Sequence, residues 1–166
     1  MKDNNLICKS AQYCINKGYI DVNDNVIFKT IRDVSDLFNK NYRGFQKSWI
    51  KIFNDWKIVA SCYQMPENKI YKNELSEDGQ YFYYSLKEDN PIKKELAVDG
   101  IINHEMEITY LFLKNSRKDG YKFVGVFKKD IDKMNKYKKE HKYLIVYKKI
   151  DDRLYLDKFF NKDKCL

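Results

Sequence analysis

Residues 105–128 read EMEITYLFLKNSRKDGYKFVGVFK, two runs of alternating apolar residues joined by a short basic turn that closes on Gly120. In the first run Met106, Ile108, Tyr110 and Phe112 share one strand face. In the second, Tyr121, Phe123 and Phe127 share one face, with Gly125 leaving a gap among them. Period-two alternation on both sides of the polar turn Asn115 to Gly120 predicts a β-hairpin. The hairpin makes the chain β-rich, and it carries Lys114, Arg117, Lys118 and Lys122 in and around its loop.

Working outward, more strands appear on both sides. WKIVASCY, residues 56–63, reads as a buried strand, and QYFYYSL, residues 80–86, follows the turn at Ser76 to Gly79. After the hairpin, KDIDKMNKYKKEH is a short charged helix or loop. KYLIVYKKI and DRLYLDKFF then form strands on either side of Asp151-Asp152. The first 47 residues lean towards helix. Ser10 is placed to cap a helix that ends at Gly18, and Thr30 caps another carrying Ile31, Val34, Leu37 and Phe38. Between these helices YIDVNDNVIF predicts a small hairpin about Asn23-Asp24-Asn25. No repeat or linker divides the chain, so one domain is expected over 1–166, with a helical segment at 1–47 and a β-rich core at 48–160. Many short strands with few helices predict a small, strongly curved antiparallel or mixed β-barrel with flanking helices, an α+β fold.

The chain has 166 residues, enough to bury a core. It carries 32 Lys and Arg against 24 Asp and Glu, and the excess is concentrated. Lys114 to Lys149 holds 13 basic and 4 acidic residues, a net +9, which leaves −1 for everything else. Such a local field favours a polyanion, DNA or RNA, as partner. Cys8, Cys14, Cys62 and Cys165 match no zinc spacing and read as reduced thiols. The opening residues lack the apolar run of a signal peptide, and no stretch reaches the length of a membrane span. A cytoplasmic protein with no membrane contact is the expectation.

Enzyme signatures are missing: no P-loop, GxGxxG, GxSxG or HExxH is present, and His104 in NHE begins no metal motif. No catalytic residue, metal ligand or cofactor is therefore assigned. Two stretches instead have the chemistry of nucleic-acid contact. YRGFQKSWIKIFNDW, residues 42–56, interleaves Arg43, Lys47 and Lys51 with Tyr42, Phe45, Trp49, Phe53 and Trp56. Cations suit phosphates and flat rings suit stacked bases. IYKNELSEDGQYFYY, residues 70–84, places Tyr71, Asn73, Ser76 and Asp78 beside an aromatic strand. An Asn offers both a donor and an acceptor to a base edge.

The order of NELSEDG with Tyr83, then IxYLF, GYKFVGVF and a late YKKI, resembles the PUA-like superfamily over about residues 48–158. The resemblance is to the small SRA, EVE and ASCH-type modules attached to HNH and other restriction endonucleases. It implies a compact curved sheet that binds modified or flipped bases, and it gives Gly125 a role at a bend. On this reading the protein is a nucleic-acid-binding module that reads a modified or extruded base for a restriction or anti-restriction system. Backbone contacts fall to Lys47, Lys51, Lys114, Arg117, Lys118 and Lys122, together with Lys128 and Lys129. The base pocket is drawn from Trp49, Trp56, Tyr71, Tyr83 and Tyr84, with Asn73 or Asp78 reading the base edge. Two other classes fit the same residues: a protein that inhibits a defence nuclease through its basic face, and a metal-dependent nuclease built on Glu105, Glu107 and Lys114.

Overall fold

The computed structural model describes residues 7–42, 44, 47–66, 71–86, 99, 101–103 and 105–161. Arg43, Phe45, His104 and Cys165 lie outside them.

The hairpin forms as predicted. Strand β7 (Ile108–Lys114) pairs antiparallel with β8 (Tyr121–Lys129), and β8 in turn pairs with β9 (Ile145–Asp151). On the other side of β7 lies β4 (Ile58–Gln64), which runs parallel to it. Both members of this parallel pair are buried across their central five residues, as expected of strands covered on both faces. The ladder extends from β4 to β3 (Trp49–Lys51), and from β9 through β6 (Tyr81–Leu86) to β5 (Tyr71–Leu75). A short β2 (Ile27–Phe28) adds to the start of β8, giving a mixed sheet of eight strands.

That sheet curls without closing. Its ladder ends at β3 and β5, so the hydrogen-bonded barrel expected from the strand pattern is not formed among the described residues. The two ends nevertheless meet through side chains. Tyr63 on β4 packs its ring 5.5 Å from Phe82 and 5.3 Å from Tyr84 on β6. Asn73 on β5 donates through Nδ2 to the Gln64 carbonyl at 3.1 Å. A seam filled by rings and one amide takes the place of a ladder.

Alternation along the strands separates two cores. The concave side collects Val59, Tyr63, Leu111, Phe127, Ile145 and Tyr147. The convex side turns Ala60, Cys62, Tyr110 and Phe112 towards two helices, α1 (Lys9–Lys17) and α2 (Ile31–Asp36). A bulge at Val124 sets which residues of β8 go where. Leu111 pairs with Gly125 but Phe112 pairs with Phe123, so the phase inverts between them. Tyr121 and Phe123 therefore face the helices while Phe127 faces the concave core, and the single stripe read from the sequence is two half-stripes. Gly125 adopts φ +134°, and a Cβ there would lie 3.0 Å from the Asp151 carbonyl oxygen. Met106, with φ 53°, leaves the stripe of Ile108, Tyr110 and Phe112 and joins the concave core.

The N-terminal segment follows its local signals in part. Thr30 and Asp33 form a reciprocal capping box on α2, and Gly18 ends α1 with φ 86°. Cys8 is the cap of α1, its Sγ accepting from the Ala11 amide, whereas the Ser10 hydroxyl donates to the Ile27 carbonyl. The predicted hairpin over residues 19–28 does not pair with itself. Strand β1 (Tyr19–Asp21) pairs with β10 (Arg153–Tyr155) in a separate two-stranded sheet, because a 3-10 turn capped by Asp21 sends the chain away. Helix α3 (Ile131–Tyr137) follows β8. Residues 157–160, expected to be extended, form a last helical turn, α4 (Asp157–Phe160).

Candidate nucleic-acid interface

A cavity of about 250 Å³ opens at the seam, lined by Lys47, Ser48, Trp49, Tyr63, Tyr71 and Tyr84. Four strands supply its rings, and each arrives by alternation: Tyr71 with Asn73 on the inward face of β5, Tyr84 with Phe82 on that of β6. The rings brace one another. Trp49 donates through Nε1 to the Tyr63 hydroxyl at 2.6 Å, and Tyr71 stacks on Tyr84 with centroids 5.2 Å apart at 22°. Burial pushes the Tyr63 and Tyr84 phenols well above their ordinary range, so both stay neutral.

Asn73 sits behind this wall as the cross-strand partner of Tyr84. It is 8% exposed, and its Oδ1 has no hydrogen-bond partner among the described residues. A buried acceptor left unmatched costs about 1–3 kcal/mol. Asp78, the other expected base reader, is committed elsewhere. Its carboxylate accepts from the Ser76 hydroxyl at 2.6 Å and the Gln80 amide at 3.0 Å, closing the exposed turn between β5 and β6. Those bonds, the Ser76 hydroxyl first, hold it below the usual carboxylate range.

Two more expected pocket residues lie outside the cavity. Trp56 is half-buried beside it, with the Lys47 ammonium 4.9 Å and the Lys51 ammonium 5.5 Å from its ring. Tyr83 points to the opposite face of β6 from Tyr84, as neighbouring strand residues must. Tyr63, which completes the cavity, reads in the sequence as one more ring of a buried strand. The signal for it is a tyrosine at the end of an apolar run, where the hydroxyl needs a partner.

The cations divide into four groups. Lys47 and Lys51 flank the cavity on the side of Trp56. The hairpin loop with Lys114, Arg117 and Lys118 springs from the strand next to β4. Lys114 is the register partner of Gln64 and accepts from the Met65 amide through its carbonyl. Lys122 is exposed on β8 opposite Ile27. Lys128 and Lys129 stand at the far end of the hairpin and do not join the loop. Lys128 pairs with Glu107 at 4.0 Å. Lys129 is turned inward, its ammonium donating to the carbonyls of Ile101, Ile102 and Glu105, and burial lowers its pKa to about 8. It is a clamp on the backbone, which corrects its expected role at a phosphate.

The nuclease grouping does not assemble. Glu107 precedes β7 and Lys114 ends it, seven residues or about 23 Å along an extended strand. Glu105 and Glu107 instead line a separate hollow with Lys57, Lys128 and Lys129. Neither Cys14 nor Cys62 offers a nucleophile: both are buried, and burial pushes the thiols up, that of Cys14 to about 11.

Comparison with known proteins adds to this geometry. The model of the SRA family, the SET and RING associated domain, matches residues 13–156. The chain belongs to the SRA family. The match begins inside α1, so it takes in the N-terminal segment that the sequence resemblance left out. As an SRA domain the chain is a DNA-binding module of the type that recognises modified bases, and its PUA-like α+β class stands. Among solved structures it is similar to the 5-hydroxymethylcytosine-specific restriction enzyme AbaSI, with a TM-score of 0.71 and 21% identity. The alignment covers 87% of this SRA chain and 44% of that enzyme, so the chain spans less than half of its length. No curated protein matches. No helix among the described residues is long and apolar enough to cross a membrane.

Proposed function

We propose that this SRA domain holds an extruded, modified cytosine-type base in the seam cavity, and delivers that recognition to a nuclease or another partner of a restriction or anti-restriction system. The observation that carries the reading is the aromatic cavity at an unclosed seam, with the unmatched Asn73 Oδ1 behind it. Enzymes and readers that take a base out of the stack hold it by stacking and read its hydrogen-bonding edge. Here Trp49, Tyr71 and Tyr84 supply the faces, and the buried Asn73 Oδ1 accepts from an exocyclic amino group once Tyr71 and Tyr84 part to admit the base. Lys47 and Lys51 on one side, and Lys114, Arg117 and Lys118 on the other, hold the phosphates and confer affinity without sequence choice. The similarity to a 5-hydroxymethylcytosine-specific enzyme supports the choice of base.

The test is binding to short duplexes that differ at one position: cytosine, 5-methylcytosine, 5-hydroxymethylcytosine or thymine. A cytosine-type modified base binds tightest, and thymine, which lacks the amino group, binds no better than unmodified DNA. Trp49→Ala and Tyr71→Ala each lose about tenfold on the preferred duplex, about 1.4 kcal/mol. Tyr71→Ala melts close to the parent, and Trp49→Ala melts lower because the buried Tyr63 hydroxyl loses its donor. Equal binding to all four duplexes, or a loss of binding that only follows a loss of folding, rejects the cavity as the base site.

A further inference from the structure

The wall between β5 and β6 has a second side. The alternation that turns Asn73 and Tyr84 inward turns Lys72, Glu74, Tyr83 and Ser85 outward, where they face the segment Lys139 to Leu144 that follows α3. Between them lies a cleft of about 640 Å³ that shares no lining residue with the aromatic cavity. Its size is within the range of about 300–1,000 Å³ found for small-ligand sites.

The chemistry of the cleft is that of a ring beside cations. Tyr83 is half-exposed and held flat against its neighbours: Tyr81 lies 6.3 Å away at 25°, and the Lys133 ammonium is 5.5 Å from the Tyr83 centroid. Across from it stand Lys139, His141 and Lys142, all exposed. The carboxylates present do not reverse the sign. Glu74 is balanced by Lys72 at 3.2 Å, and Glu140 opposes two lysines. A purely apolar ligand would pack on Tyr83, Tyr143 and Leu144 but leave the cations unused, and a bare anion would leave the rings unused. A nucleobase that carries a phosphate uses both.

We infer that this cleft binds a nucleotide, with its base stacked on Tyr83 and its phosphate on Lys139 and Lys142, as a site separate from the base cavity. Paired DNA does not qualify, because its base faces are covered by their neighbours in the stack. The nucleotide comes from an unpaired strand or is a free nucleoside monophosphate.

Binding of a labelled single-stranded DNA of about eight nucleotides tests this. Measuring it in a Trp49→Ala background weakens the contribution of the aromatic cavity about tenfold. Adding Tyr83→Ala lowers affinity about tenfold, and adding Lys139→Ser with Lys142→Ser flattens the salt dependence by about 0.7 per lysine. Because those lysines are exposed, the second variant stays folded whatever becomes of the first. Competition by deoxycytidine monophosphate then names the source: displacement assigns the cleft to free nucleotides, and retention of the strand assigns it to unpaired DNA. If both added variants keep single-strand affinity within about twofold of the Trp49→Ala parent, the cleft is not a nucleotide site. That result would leave the modified-base reading, tested on duplexes, untouched.

Discussion

Lys129 and Lys118 have the same side chain and opposite surroundings, the first turned inward and the second exposed. The Lys129 ammonium is shared among three carbonyls, and its removal would take a buried donor from all of them. Lys129→Met is expected to lower stability in chemical denaturation by about 1–3 kcal/mol while leaving the salt dependence of DNA binding unchanged. Lys118→Ser is expected to do the reverse: stability within about 0.5 kcal/mol of the parent, and a salt slope on duplex DNA shallower by about 0.9. A shared outcome for the two would mean that the inward turn of Lys129 has no consequence. The sequence did not separate them, because both are lysines in a basic stretch and burial depends on residues far along the chain. Tyr83 and Tyr84 are a different case. Alternation alone forbids two successive strand residues from lining one pocket. What it withholds is which of the two faces inward, and that is settled by the partners Tyr63 and Tyr71.

At the scale of elements, the hairpin was legible because its pattern is local, and so was the capping box of Thr30 and Asp33. The bulge at Val124 was not, since a register shift is a relation between strands. Gly125 was the one visible trace. Its φ of +134° and the 3.0 Å approach to the Asp151 carbonyl leave no room for a side chain. Gly125→Val is expected to cost at least about 1 kcal/mol in thermal or chemical unfolding. Equal stability would mean that the bulge relaxes freely. The loop of the same hairpin is predicted to act as a unit on DNA. Replacing Lys114, Arg117 and Lys118 by Ser should lower affinity and reduce the salt slope by up to about 2.7 on duplex DNA, about 0.9 for each phosphate contact. Adding Lys128→Ser should change the slope no further, because Lys128 is at the other end of β8 beside Glu107. A further fall on adding Lys128→Ser would show that DNA runs the length of the hairpin.

For the molecule as a whole, the open seam is the feature that joins the fold to the proposed function. The parallel pair β4 and β7 is buried on both faces and fixes the middle of the sheet. The two sides of the seam are held to each other by the packing of Tyr63 against Phe82 and Tyr84 and by the Asn73 amide on the Gln64 carbonyl, while the Trp49–Tyr63 hydrogen bond and the Tyr71–Tyr84 stack brace one side each. In the sequence, a family resemblance groups Trp49, Tyr71 and Tyr84 but misses Tyr63, since the four rings meet only after the sheet has curled. Side-chain contacts of this kind open more readily than a ladder, so β3 and β5 should exchange their amide hydrogens faster than β7 and β8. A base inserted at the seam bridges the two ends. Hydrogen exchange with and without a duplex carrying the preferred modified base should therefore show slowing centred on Trp49–Lys51 and Tyr71–Leu75, with β7 and β8 little changed. An unmodified duplex, held through Lys47, Lys51 and the loop cations with no base in the cavity, should slow exchange around residues 114–120 and leave Tyr71–Leu75 as it was. Slowing of the seam by both duplexes, or by neither, would separate DNA binding from this cavity and place the base elsewhere on the protein.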